Sequence, residues 1–137
     1  MPNHFHLLIK QLKDSGITEF MTKLSLSYTK YYNIKYSRVG PLLQGQFKAV
    51  TVESDEQLIH LSRYIHLNPL ASFLIKDIAK YEWSSYREYL NNLNGICTKQ
   101  EILSFFESLQ KYKHFVLDQT EYAQSLELIK HQSIDEV

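Results

Sequence analysis

Two periodicities organise the apolar positions of this chain. Residues 4–9 alternate, with Phe5, Leu7 and Ile9 on one side and His4, His6 and Leu8 on the other, the two-residue repeat of a half-buried strand. From Ile17 to about Tyr36 the spacing changes to three and four. Ile17, Phe20, Met21, Leu24, Tyr28 and Tyr31 make one helical stripe, with Tyr28 and Tyr31 expected in the core, and Gly40 and Pro41 close the helix off downstream. Residues 47–52, from Phe47 to Val52, read as a second strand. Ser54 followed by Gln57 is a capping box that opens a helix at Asp55; its buried stripe is Leu58, Leu61 and Ile65, and Pro69 stops it. That helix carries Tyr64 and Asn68.

After Pro69 the pattern is irregular until a short helix over about 84–90, followed by a turn-rich connection, Asn91 to Gly95. Trp83 and Tyr86 read as packing residues that pin this helix. Thr98 with Glu101 forms another capping box, for a helix burying Ile102, Phe105, Phe106 and Leu109, and a last helical stretch covers about 115–130 before a frayed tail. There is no internal repeat.

Composition limits the class. A chain of 137 residues with 44% hydrophobic and 13% aromatic content buries enough apolar surface to fold and is sized for one unit. The single cysteine, Cys97, cannot form an internal disulfide and reads as a small packing side chain. No apolar run has membrane-spanning length or the order of a signal peptide, so the cytoplasm is the expected compartment.

The net charge is zero, which by itself argues against a general nucleic-acid binder. The average conceals a division: residues 1–52 carry Lys10, Lys13, Lys23, Lys30, Lys35, Arg38 and Lys48 against only Asp14 and Glu19, and the remainder is acidic on balance. A polyanion would meet the first part of the chain.

His4 and His6, two apart, would leave one face of a strand with backbones about 7 Å apart, within reach of a shared ion. Two such histidines are also common as plain solvent-facing residues, so a third ligand is required. Tyr64 and Asn68 lie four apart on one helical face, where the Asn68 amide oxygen could complete a mixed nitrogen and oxygen site. Taken singly, Tyr64 is an ordinary core-edge tyrosine and Asn68 a helix-end residue. A phenol beside a metal suits nucleophilic attack on a phosphodiester, giving a phosphotyrosine link that a free hydroxyl can later reverse. His66, two positions from Tyr64, faces away from it and reads as a partly buried polar residue.

Four separated runs then carry a resemblance: Met1-Pro2-Asn3-His4-Phe5-His6-Leu7-Leu8, Gly40-Pro41-Leu42-Leu43-Gln44-Gly45-Gln46-Phe47-Lys48, Arg63-Tyr64-Ile65-His66-Leu67-Asn68-Pro69 and Tyr81-Glu82-Trp83-Ser84-Ser85-Tyr86. Their order and spacing resemble the HUH single-tyrosine transposases, especially the branch associated with repetitive extragenic palindromes. The resemblance implies an α+β, ferredoxin-like antiparallel sheet with packed helices over residues 1–90, and a helical extension over 91–137 within the same folding unit. It further implies Mg²⁺ or Mn²⁺ held by His4, His6 and Asn68, and Tyr64 as the nucleophile that takes the 5′ phosphate of a single-stranded or hairpin DNA and leaves a free 3′ hydroxyl. Relatives carry about one strand and one helix ahead of the histidine strand. The expected fold is therefore truncated at its N-terminus, as a fragment, an alternative start, or a chain whose edge strand comes from a partner, and a homodimer is an expected assembly.

Between Phe20 and Val52 there is no acidic residue, and cations interleave with tyrosines as a single strand of DNA would require. Tyr32, Lys35, Arg38 and Lys48 are the candidates for that surface, with Gln44 and Gln46 as further contacts. Two readings compete with strand cleavage through Tyr64: a domesticated module that binds DNA without catalysis, and a metal hydrolase that uses water.

Overall fold

A computed structural model describes residues 1–91 and 95–134. The chain divides into two compact units, one of residues 8–51 and one of residues 1–7 with 52–137. Among the described residues every regular element is helical and no strand is present. The expected α+β class and its ferredoxin-like antiparallel sheet are therefore corrected to an all-helical architecture. Alternation supplies an apolar face, but a strand exists only where a neighbouring backbone completes a ladder with it. Residues 4–9 and 47–52 keep the alternating pattern and gain no ladder; Phe5 and Leu7 are each 47% exposed, and Val50 is 81% exposed.

In the unit of residues 8–51, helix α1 (Gly16–Lys35) follows a left-handed Ser15 at φ 58° that offers no side-chain cap. The helix start is held from outside instead. The Ile17 N–H donates to Gln11 Oε1 at 3.3 Å, and Lys13 Nζ meets Glu19 Oε2 at 2.8 Å across the first turn. At the other end Arg38 N–H donates to the Asn33 carbonyl and Asn33 Nδ2 to the Gly40 carbonyl, folding the chain back over the helix end. Gly40 sits there at φ 91°, a conformation a side chain would resist. Met21 is the one buried residue of α1. The rest of the expected stripe is largely exposed, Phe20 by 47%, Tyr28 by 49% and Tyr31 by 55%, so the reading of Tyr28 and Tyr31 as core residues is corrected.

The other unit is built around helix α2 (Asp55–Ala71). Its start follows the capping box with one shift: Ser54 accepts from the Gln57 N–H at 3.1 Å, while Gln57 Oε1 accepts from the N–H of Glu53, one residue before the cap, at 2.8 Å. Pro69 does not stop it. The proline lies inside the last turn, and the helix runs on to a C-cap at Ser72, whose N–H and Oγ both donate to the Asn68 carbonyl. The buried face also differs from the expected one. Leu58, Leu61 and Ile65 are half-buried, whereas Ser62, His66 and Pro69, at steps of four and three, point into the core together with Leu67.

A single 3₁₀ turn (Ile78–Lys80) and helices α3 (Tyr86–Asn91), α4 (Gln100–Leu103), α5 (Leu109–Leu117) and α6 (Thr120–Ile134) complete this unit. Ile78, Tyr86, Tyr89, Ile102, Tyr112 and Val116 form its core cluster, with Leu58, Leu70 and Phe106 packed against it. Tyr86 packs as expected; Trp83 does not, since it is 82% exposed. The single helix expected from Thr98 is two: α4 ends after one turn, and Ser108 opens α5 by accepting from the Lys111 N–H. Phe105 is likewise exposed, by 43%. The stretch expected over 115–130 is shared between α5 and α6. The middle of the turn-rich connection, 92–94, and the end of the frayed tail, 135–137, lie outside the described residues.

Candidate functional site

Residues 1–7 belong to the same unit as α2, which allows the opening histidines and the tyrosine helix to meet. His4 and His6 stand edge to face, with ring centroids 5.0 Å apart, and His6 in turn meets the Tyr64 ring edge to face at 5.4 Å. Three aromatic side chains from segments 58 residues apart in sequence thus form one row, His4, His6, Tyr64.

Each member has a distinct setting. His4 Nδ1 lies 2.7 Å from Asn3 Oδ1. With that oxygen as acceptor, Nδ1 carries a proton, the arrangement by which a neighbour orients a metal-binding imidazole. His6 is held below the ordinary histidine range, chiefly by burial and further by its proximity to His4 and to the amino terminus, so its ring is neutral and able to donate a lone pair. Tyr64 is half exposed. Asn68 stands one turn further along α2, half-buried, with its backbone carbonyl committed to Ser72. Its place on the Tyr64 face follows from the four-residue spacing. Among the described residues no three of His, Cys, Asp or Glu gather in one place.

The candidate DNA-contacting residues lie in the other unit. There α1 presents a ladder of tyrosine rings: Tyr28 is 6.2 Å from Tyr32, and Tyr32 is 4.4 Å from Tyr36. Lys35 Nζ lies 5.5 Å from the ring centres of both Tyr31 and Tyr36, and the Arg38 guanidinium lies 5.7 Å from that of Tyr32. A hydrogen bond from Lys35 to the Tyr31 hydroxyl, 3.2 Å, is the main cause that raises the lysine above its ordinary range. The structure therefore brings Tyr32, Lys35 and Arg38 together. Gln44, Gln46 and Lys48 are exposed in the segment that follows Gly40.

Residues 1–68 of the 137 match the family described as transposase IS200 like. The chain belongs to the IS200-like transposase family. It is accordingly a transposase, with DNA as the molecule on which it acts. No curated protein and no solved structure matches the chain. The family match encloses His4, His6, Tyr64 and Asn68, whereas α3 to α6 lie beyond it. Among the described residues no helix is long and apolar enough to cross a membrane.

Sequence reasoning passed over the far side of α2. His66 is buried, as its position opposite Tyr64 suggested, but it is also fully engaged: Nδ1 lies 2.7 Å from the Tyr112 hydroxyl and Nε2 lies 2.9 Å from Ser85 Oγ. Tyr112 reaches Ser62 Oγ at 2.7 Å. Burial keeps this imidazole neutral, with its pKa lowered to about 4, and drives the Tyr112 hydroxyl well above the usual phenol range. The local signal was the Ser62, His66, Pro69 spacing, polar residues at core-facing steps. No local pattern names Tyr112, which lies 46 residues from His66.

Proposed function

We propose that this transposase cleaves and rejoins single-stranded or hairpin DNA through Tyr64, with His4, His6 and Asn68 holding a divalent ion, Mg²⁺ or Mn²⁺. The observation that carries the reading is the row of rings that sets the Tyr64 phenol beside a histidine pair whose lone pairs are available. Two imidazole nitrogens and an amide oxygen are a donor set that fits a divalent cation. When bound there, the ion supplies Lewis-acid polarisation of the phosphodiester.

The protein's own groups do the remaining work. Tyr64, half exposed at the end of the row, forms a bond from its phenol oxygen to phosphorus while the bond to the 3′ oxygen breaks. The phenol proton leaves to solvent and the departing 3′ oxygen is protonated, so the products are a 5′-phosphotyrosine and a free 3′ hydroxyl. Attack by a 3′ hydroxyl on the phosphotyrosine reverses the chemistry and joins the strand elsewhere. Tyr32, Lys35 and Arg38, with Lys48, Gln44 and Gln46, supply the cations, stacking faces and amides for the strand.

Incubation of the protein with a single-stranded hairpin oligonucleotide and Mn²⁺ tests the reading. A covalent protein–DNA species is expected, lost in Tyr64→Phe and reduced at least tenfold in His6→Ala. Salt-sensitive binding with no adduct would show a DNA-binding module instead, and turnover that survives Tyr64→Phe would show hydrolysis by water.

A further inference from the structure

We propose that His66, gripped by Tyr112, is a positioning residue that fixes the rotation of α2 and thereby aims Tyr64 at the histidine pair. The inference rests on the reading of Tyr64 as nucleophile. Successive α-helical residues turn by about 100°, so His66 points about 200° away from both Tyr64 and Asn68, which are themselves only about 40° apart. A grip on the His66 side chain from behind therefore determines where the front face looks.

That grip has the features of a register pin. Both ring nitrogens of His66 are engaged, one by Tyr112 on α5 and one by Ser85 just ahead of α3. Tyr112 is fully buried and also bonds Ser62, one turn before His66 on the same face of α2. Tyr89 and Tyr86 wall the imidazole in, with ring centroids 4.8 Å and 5.3 Å away. Turning α2 by even one residue would strand two buried imidazole nitrogens and two buried hydroxyls, whereas an apolar contact would slide to a new one at little cost. Two further ties on α2 are looser: the Arg63 guanidinium packs 4.4 Å over the Phe115 ring and Gln124 donates to the Leu70 carbonyl, both through long side chains at half-buried positions. Tyr112 and Ser85 both lie outside the family-matched residues 1–68. The part of the chain beyond the match thus contributes to the chemistry by holding the nucleophile's helix from behind.

Tyr112→Phe removes one hydroxyl and keeps the ring, and Ser85→Ala releases the other side of His66 should the first variant not fold. Ile102→Val, a core change in the same cluster that removes none of the hydrogen bonds on His66 or Tyr112, serves as the control for a general loss of stability. With the hairpin oligonucleotide and Mn²⁺, Tyr112→Phe is expected to form adduct at least tenfold more slowly at saturating DNA, with half-saturation within twofold of wild type; Ile102→Val should retain the wild-type rate. A 3-fluorotyrosine placed at position 64 gives a readout that needs no activity: its ¹⁹F resonance should shift or broaden in Tyr112→Phe and stay in place in Ile102→Val. An unchanged resonance in folded Tyr112→Phe and Ser85→Ala overturns the proposal, as does an equal loss of rate in Ile102→Val. Absence of adduct from wild type would instead defeat the Tyr64 reading, and the resonance alone would then decide the positioning.

Discussion

Helices α1 and α2 have similar lengths, 20 and 17 residues, and almost opposite relations to water. The first buries Met21 alone and displays tyrosines and cations; the second buries Ser62, His66, Leu67 and Pro69 and displays Tyr64. An exposed helix is stabilised locally, by its end contacts and by ring and cation neighbours along its surface. A helix pinned by a buried polar cluster is stabilised from outside and has one permitted rotation. The first arrangement leaves a surface of rings and cations free to adapt, the second holds a displayed side chain in one place.

Substitutions should separate the two helices sharply. Tyr112→Ala, which deletes a fully buried ring and strands His66 and Ser62, is expected to destabilise the α2 unit by ~3–5 kcal/mol, measured by urea unfolding. Ser54→Ala removes the cap of α2 and should cost about 1 kcal/mol in the same experiment. Tyr28→Ala on α1 should change stability by less than ~0.5 kcal/mol, because its ring is already half in water. The comparison would break if the α1 change proved as damaging as the loss of Tyr112. It sharpens through binding: Lys35→Gln should lower the salt slope of single-stranded DNA binding by about 0.7, the counterion share of one phosphate contact, without altering the unfolding midpoint.

Legibility in the sequence followed the range of the physics involved. The start of α2 was readable because its capping contacts close within five residues: Ser54 caps the Gln57 N–H as the pattern implies, and Gln57 reaches back to Glu53, one residue ahead of the cap. The alternating segments 4–9 and 47–52 misled because periodicity reports one face of a strand and says nothing about the neighbour that must complete the ladder. Pro69 misled in another way: a proline removes a single backbone donor, a local loss, and the helix runs past it to close at Ser72, whose N–H and Oγ donate to the Asn68 carbonyl. On α2 the leucines drew attention to a flank, while the true inward face carried a serine and a histidine whose burial depends on a hydroxyl from α5.

The candidate site was legible to the extent that it is local. The strand that was to set His4 and His6 on one face is absent, yet their rings meet and His6 meets Tyr64, while the Tyr64 and Asn68 pair rests on helical spacing alone. The orienting contact from Asn3 and the brace behind Tyr64 arise from packing that no spacing rule encodes.

Peptide mapping of the trapped protein–DNA species by mass spectrometry addresses the chemistry at a single atom. A nucleotide carried through its 5′ phosphate on the peptide that contains Tyr64 is the predicted result. The same nucleotide attached to any other tyrosine, with Tyr64 unmodified, would contradict the assignment of the nucleophile.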